Sequence, residues 1–185
     1  MEDAAIVDLY WQRSDRAIRE TENKYGRYCH TIANNICRNE SDAEECVNDT
    51  WLKAWNLMPD KRPKLLSPFL GRITRTLALD RLRTRSRLKR GGGQVELALE
   101  ELEECLSGGG DPARQVEAQE LAQAVGAFVA ALPDVEKRVF VARYWYLTPV
   151  EDIAQRMDFS QSKVKSMLYR TRGKLGRYLR EEGLC

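Results

Sequence analysis

Apolar residues recur every three or four positions along most of this chain, the spacing that places them on one face of an α-helix. No segment shows the sustained two-residue alternation of β-branched residues that is typical of a strand. The sequence therefore predicts an all-α protein. With their caps, the predicted helices cover about residues 3–12, 14–39, 41–57, 67–90, 111–132, 133–146, 148–157 and 161 onwards.

Residues that commonly start helices precede most of these segments. Two of the starts are S/T-x-x-E capping boxes, and several place a proline in the first turn. The predicted caps, with their partners, are Ser14, Ser41 with Glu44, Ser67 with Pro68, Asp111 with Pro112, Pro133 with Asp134, Thr148 with Glu151, and Ser160.

Two glycine triplets, 91–93 and 108–110, interrupt the helical pattern. The segment 91–112 contains six acidic and no basic residues, so we expect a flexible acidic linker over 91–111 that forms at most a transient helix. The linker divides the chain into two small helical domains, 1–90 and 112–185.

Between Lys61 and Arg90 the chain carries eleven basic residues and one acid, Asp80. An apolar stripe of Leu66, Leu70, Ile73 and Leu77 predicts that the cations lie on the other face of the helix. Such a surface suits a polyanion, most simply a nucleic acid, and a solvated cationic face is the alternative. The candidate DNA-binding residues here are Lys61, Lys64, Arg72, Arg75, Thr76 and Arg83.

The helix that starts near Ser41 should bury Val47, Trp51 and Trp55 and expose an acidic face that contains a leucine. A leucine among acids favours docking of a basic partner, while a solvated acidic face is the alternative. A carboxylate metal site is discounted because the chain has no Glu-x-x-His. The candidate partner-binding residues are Asp42, Glu45, Asp49, Leu52, Lys53 and Asn56.

A helix of about nine residues, a turn at 158–160 and a longer helix from Gln161 form a predicted helix-turn-helix. Between Ser160 and Arg180 there are seven basic residues and no acid, which favours docking in the major groove over an αα-hairpin that serves packing alone. An exposed row is expected at Ser162, Lys165, Ser166, Tyr169 and Arg172. The full candidate set is Ser160, Ser162, Lys163, Lys165, Ser166, Tyr169, Arg170 and Arg172.

The remaining features exclude several classes of protein. The five cysteines form no C-x-x-C pair, and we expect free, buried thiols in a reducing cytoplasm, with no metal and no cofactor. No apolar run approaches about 18 residues, so no membrane insertion is expected. The sequence shows no nucleophile–base pair and no phosphate-binding glycine loop, so we do not expect an enzyme.

Three stretches together resemble bacterial RNA polymerase sigma factors of the extracytoplasmic-function (ECF) subgroup: SDAEECVNDTWLKAW, FLGRITRTLALDRLRTR and LPDVEKRVFVARYWYLTPVEDIAQRMDFSQSKVKSMLYRTRGKL. The resemblance implies that the acidic face binds the β′ clamp helices of core polymerase. It implies that the basic helix and its loop melt and read the −10 element as single-stranded DNA. The helix-turn-helix would read the duplex −35 element beside the β flap.

The resemblance also makes an anti-sigma factor a candidate partner. Where this family often has asparagine in I-A-R-N-L, the chain has Thr76 in I-T-R-T-L, so sequence preference at −10 is not carried over. The main alternative function is a stand-alone helix-turn-helix regulator. A recombinase is a further class, but it would need a catalytic Ser, Tyr or carboxylate cluster.

Overall fold

The computed structural model describes residues 1–58, 61–86, 94–106 and 115–184. Every regular element in these ranges is an α-helix, which confirms the predicted all-α class. The helices are α1 Asp3–Trp11, α2 Arg16–Cys37, α3 Glu40–Leu57, α4 Leu66–Ser86, α5 Gln94–Leu106, α6 Gln115–Ala131, α7 Asp134–Tyr144, α8 Val150–Met157 and α9 Gln161–Glu181. The chain divides into two compact units, residues 1–91 and 92–185. Within the described ranges, no helix has both the length and the apolar character that crossing a bilayer requires.

In the first unit, α2, α3 and α4 pack against one another and α1 packs on α2. Small residues such as Ala43, Ala54 and Ala78 are fully buried, which lets the helix backbones approach closely. Buried hydroxyls are satisfied within this core: Thr50 donates to the carbonyl of Cys46 and to the hydroxyl of Thr74.

The start of α4 differs from the prediction. The helix begins at Leu66, so Ser67 lies inside the first turn and is not the cap. The backbone N–H of Leu66 donates instead to Oδ2 of Asp3, at 3.0 Å. The other oxygen of Asp3 accepts from Lys24 Nζ at 2.7 Å and from the Tyr25 hydroxyl at 2.6 Å. One carboxylate thus ties α1 to α2 and to the start of α4.

The predicted cap at Ser41 is also wrong. Asn39 is extended (φ −151°, ψ 125°), and its side chain accepts from the Asp42 N–H, so α3 begins at Glu40. Asp15, and not Ser14, stands at the N-cap position of the preceding helix α2, although its side chain makes no capping hydrogen bond, and α2 ends where Arg38 adopts a left-handed conformation. Asparagine and serine are equally good caps, so the backbone of the α2–α3 turn decides between them.

In the second unit, α5, α6, α7 and α8 all pack on α9. The predicted stripe of α9 is confirmed: Val164, Leu168, Thr171, Leu175 and Leu179 are all buried. The helix α8 begins at Val150 with Pro149 at its cap position, so the predicted capping box at Thr148 is wrong. The helix α7 starts at Asp134 as predicted, and the predicted start at Asp111 lies outside the described residues.

The predicted linker contains the helix α5, which buries Val95 and Ala98 and packs against α7 and α9. This part of the segment is therefore an element of the second unit, in contrast to the expected flexible tether. The division into functional domains at 1–90, 91–111 and 112–185 stays a prediction.

Asp3 supplies a test of how α1 and α4 are joined. Desolvation raises the pKa of Asp3, but hydrogen bonds from Lys24, Tyr25 and Leu66 outweigh it and leave the pKa below its ordinary value of 3.8. A lowered pKa contributes stability above the unfolded-state pKa and loses it as the pH falls through the folded-state pKa. We expect Asp3→Asn to lower the free energy of unfolding by about 1 kcal/mol at neutral pH and by progressively less below about pH 4.

Urea unfolding of both proteins at several pH values measures this difference. Asp15→Asn is the matched control, because Asp15 is exposed and its side chain makes no capping hydrogen bond. A difference between wild type and Asp3→Asn that is the same at pH 7 and pH 3 would contradict the role of the carboxylate.

Candidate protein- and nucleic-acid-binding surfaces

The acidic stripe of α3 is the set Asp42, Glu45, Asp49, Leu52, Lys53 and Asn56. Glu45, Lys53 and Asn56 are exposed, Leu52 is 61% exposed, and the two aspartates are half-buried. The opposite face of α3 buries Val47 and Trp51, as predicted, while Trp55 is half-buried. The stripe is therefore available to a partner, and its apolar element, Leu52, is well exposed.

Arg81 of α4 reaches this stripe, a contact that sequence reasoning missed. Its guanidinium forms a two-armed ion pair with Glu45 and lies 3.4 Å from Asp42. The hydrogen bond from Arg81 lowers the pKa of Glu45 and keeps the carboxylate charged. A signal was present, because Arg81 follows Thr74 and Ala78 at helical spacing on the buried side of α4. Among the described residues, no cation forms an ion pair with Asp49.

The basic helix α4 exposes Arg72, Thr76 and Arg83 as predicted, and Lys61 and Lys64 are exposed in the preceding loop. Arg75 differs from the prediction because it is partly buried, and burial lowers its pKa. Leu77 is only half-buried, whereas Ala78 is buried in its place. Since α4 packs on both α2 and α3, its buried face is broader than the predicted single stripe.

In the loop before α4, Arg62 is held by two residues of α1. Its guanidinium pairs with Asp8 and stacks over the ring of Trp11, 5.3 Å from the ring centroid. Trp11 is 48% exposed and Leu65 is 67% exposed. The arrangement fixes one end of the basic loop against α1.

The predicted helix-turn-helix is present as α8, a turn and α9. Asp158 adopts a left-handed conformation (φ 54°), which aspartate tolerates, and the Phe159 N–H donates to the Ala154 carbonyl. The Ser160 hydroxyl accepts from the Lys163 N–H at 3.2 Å, so the predicted cap of α9 is confirmed. This geometry holds α9 in place and leaves its first turns open to solvent. The exposed residues of the candidate set are Ser160, Ser162, Lys163, Lys165, Ser166, Tyr169 and Arg170.

Arg172 is the exception in the predicted row. Its side chain is only 16% exposed, and it donates to the Tyr144 hydroxyl at 2.8 Å and to Glu101 at 3.3 Å. Glu101 also accepts from the Tyr144 hydroxyl at 3.0 Å and lies 3.4 Å from Arg143, whose side chain is fully buried. Burial raises the pKa of Tyr144, which stays a neutral donor in this cluster. Sequence reasoning missed the cluster because Glu101 lies in the segment assigned to the linker.

The described cysteines and acids form no metal site. No group of three His, Cys, Asp or Glu side chains that could hold a metal ion occurs among the described residues. Cys29, Cys37 and Cys46 are free thiols and are buried, as expected for these three.

These surfaces lie in segments of the chain that match known protein families. Residues 23–88 match the family model for Sigma-70 region 2, and residues 122–175 match that for Sigma-70, region 4. The two matches cover more than half of the chain, in that order; the first contains α3 and α4, and the second contains the helix-turn-helix. The chain belongs to the sigma-70 family of RNA polymerase sigma factors.

A curated relative of this sigma factor is the probable RNA polymerase sigma factor RfaY of Xanthomonas campestris pv. campestris, 26% identical over 142 residues. The match covers 76% of the present chain but 35% of that protein, so the chain spans about a third of its relative's length. A solved structure of CnrH in complex with the cytosolic domain of CnrY is similar over 97% of both chains, at 19% identity and a TM-score of 0.44.

The family assignment confirms the resemblance seen in the sequence and does not favour the stand-alone regulator. It says nothing of the roles of individual residues, which stay predictions.

The Glu101 cluster generates a test of how α5 joins the second unit. Glu101→Gln keeps an acceptor for Tyr144 but removes the negative charge beside the fully buried Arg143. We expect the amides of α7 and α9 to lose about 1–3 kcal/mol of protection in hydrogen exchange. Glu100→Gln is the control, because Glu100 is exposed, and it should change protection by less than about 0.5 kcal/mol. Equal effects of the two substitutions would contradict the role of Glu101.

Proposed function

We propose that this protein is an ECF-type sigma factor that binds core RNA polymerase through α3 and promoter DNA through α4 and α9. The observation that carries the proposal is the placement of three different charged surfaces on the two matched family regions. A sigma factor lends specificity and supports strand opening, so the proposed role is not catalytic. Because polymerase and promoter DNA are its partners, the proposed place of action is the cytoplasm.

Polymerase binding is assigned to the acidic stripe of α3, with the β′ clamp helices as its partner. An exposed leucine flanked by carboxylates suits a partner that offers an apolar contact within a basic surface. Asp42 and Glu45 already share Arg81, so their charge is partly compensated within the protein. Asp49 therefore carries the largest share of the charge available to the partner.

Recognition of the −10 element is assigned to α4 and its loop. Exposed Arg72 and Arg83, with Lys61 and Lys64 in the loop, would neutralise phosphates of the separated strand. Thr76 is exposed on the same face, and its hydroxyl donates to the carbonyl of Arg72. The Thr76 oxygen keeps a lone pair that can accept a hydrogen bond from a base. An asparagine at this position would offer a different set of hydrogen-bonding groups.

Recognition of the −35 element is assigned to the first turns of α9, beside the β flap. Residues near the N-terminal end of a recognition helix reach base edges, and cations farther along contact phosphates. Ser162, Lys165, Ser166 and Tyr169 form the exposed row near that end. Arg172 can join only if it leaves Glu101 and Tyr144. An anti-sigma factor stays a candidate partner on the family resemblance.

The stripe is tested by charge reversal. Asp49→Lys should weaken binding to core polymerase about tenfold or more, because it places a cation against a basic partner. Glu44→Lys is the matched control, since Glu44 is an exposed acid of the same helix that lies outside the stripe and lines a groove with α2. Affinity is measured by fluorescence anisotropy and folding by circular dichroism. Equal loss of affinity in the two variants, with helicity intact, would count against the stripe.

The helix-turn-helix is tested by two substitutions on α9. Lys165→Ala should reduce transcription from some −35 sequences more than others, by about 1–3 kcal/mol where it contacts a base. Arg177→Ala should weaken all sequences about equally and reduce the salt dependence, because Arg177 is exposed far from the N-terminal end. The assay is transcription by the holoenzyme from a library randomised at −35, at two salt concentrations. A uniform loss for Lys165→Ala would show that this residue contacts only the backbone.

A further inference from the structure

Two cysteines of the first unit lie opposite each other across the contact between α2 and α3. Cys37 is the last residue of α2, Cys46 lies in the second turn of α3, and their Sγ atoms are 4.0 Å apart. Both side chains are buried, at 5% and 1% exposure. We propose that Cys37 and Cys46 form a reversible disulfide that joins α2 to α3 and lowers the affinity of the acidic stripe for core polymerase. The second half of this proposal rests on the proposed function.

The geometry favours this pair over Cys29, the other cysteine of the first unit. A disulfide requires an S–S distance of about 2.05 Å, so the two sulfurs must approach by about 2 Å. The proposal requires that rotation about the side-chain torsions, together with a shift of α3, supplies this movement. Cys29 is also fully buried and lies on α2, about two turns before Cys37. It therefore serves as a matched control.

The surroundings of Cys46 favour the thiolate that attacks a disulfide. The hydrogen bond from Cys37 and the nearby Arg81 guanidinium lower the pKa of Cys46, although burial opposes them. The same hydrogen bond, with burial, raises the pKa of Cys37. The pair thus has one thiol suited to attack and one that retains its proton.

Access to the pair comes from its position at a helix end. Only Arg38 and Asn39 separate α2 from α3, and Arg38 is exposed and left-handed, with φ 52°. The last turn of a helix opens at lower free energy than its middle, so opening at this end moves Cys37 away from Cys46 and uncovers both thiols.

The proposed oxidant is a small-molecule disulfide such as glutathione disulfide. One protein thiolate attacks a glutathione sulfur and releases one glutathione, which takes up a proton. The second protein thiol then displaces the other glutathione and forms the Cys37–Cys46 bond. Two protein thiols are oxidised and one glutathione disulfide is reduced to two glutathione thiols, so atoms and electrons balance.

The consequence for α3 follows from the position of Cys46 next to Glu45. The Glu45 carboxylate is held by Arg81, which also approaches Asp42. A disulfide that draws Cys46 toward α2 displaces this turn of α3 relative to Arg81. The stripe then presents its charges in a different arrangement to a partner that matches the reduced form.

The first arm of the test maps the bond itself. The full chain is equilibrated in glutathione buffers of increasing oxidised fraction, alkylated and digested, and disulfide-linked peptides are identified by mass spectrometry. We expect a Cys37–Cys46 peptide that forms with oxidation and disappears with dithiothreitol, in wild type and in Cys29→Ser. Oxidised protein with no such peptide, or with these cysteines only as separate glutathione adducts, would overturn the proposal.

The second arm measures binding to core polymerase by fluorescence anisotropy. Oxidation should lower the affinity of wild type at least about fivefold, with recovery on reduction. Oxidation should leave the affinity of Cys37→Ser and of Cys37→Ala for core polymerase unchanged. The alanine variant is used if a buried serine prevents folding. A mapped disulfide without loss of affinity would overturn control of the stripe. Failure of the reduced protein to bind polymerase would instead contradict the proposed function, and the mapping would still be readable.

Discussion

The close packing of α2, α3 and α4 is the constraint on which the surfaces of the first unit depend. Each helix contributes one face to this core, and the buried side chains of Ala43, Ala54 and Ala78 are small enough to let the helix backbones approach closely. The hydroxyl pair of Thr50 and Thr74 joins α3 to α4, and both hydroxyls find hydrogen-bond partners within the core. The faces left over are acidic on α3 and basic on α4. In the proposed function, their separation on two helices of one core would let a protein partner and a nucleic acid be bound at the same time.

Charge on these helices is not all available to partners. Arg81 is bound by Glu45 on α3, and Arg172 is bound by Glu101 and Tyr144 in the second unit. In each case a cation counted as part of a basic surface stabilises the packing of its own unit. A partner therefore meets fewer free charges than the sequence suggests, and Asp49, which forms no ion pair within the described part of the chain, matters more to the charge of its surface. Cys46 follows Glu45 in the chain and therefore lies directly beside the turn of α3 that Arg81 contacts.

Local features could be predicted from the sequence, and contacts between distant segments could not. The stripe of α9, the turn at 158–160 and the cap at Ser160 depend on neighbours in the chain, and all are confirmed. The start of α4 depends on Asp3, 63 residues away, and the exposure of Arg172 depends on Glu101, 71 residues away. Helical periodicity holds no information about such pairs. The sequence did not predict α5 as a packed helix, because an acidic segment between two glycine triplets is typical of a linker.

Transcription reconstituted from core RNA polymerase and this protein tests the central claim most directly. Core enzyme of the source organism, with and without the protein, transcribes a library of genomic fragments, and the RNA 5′ ends are mapped. The account predicts discrete start sites that require the protein and that share sequence elements near −10 and −35. Identical 5′ ends with and without the folded protein would contradict it.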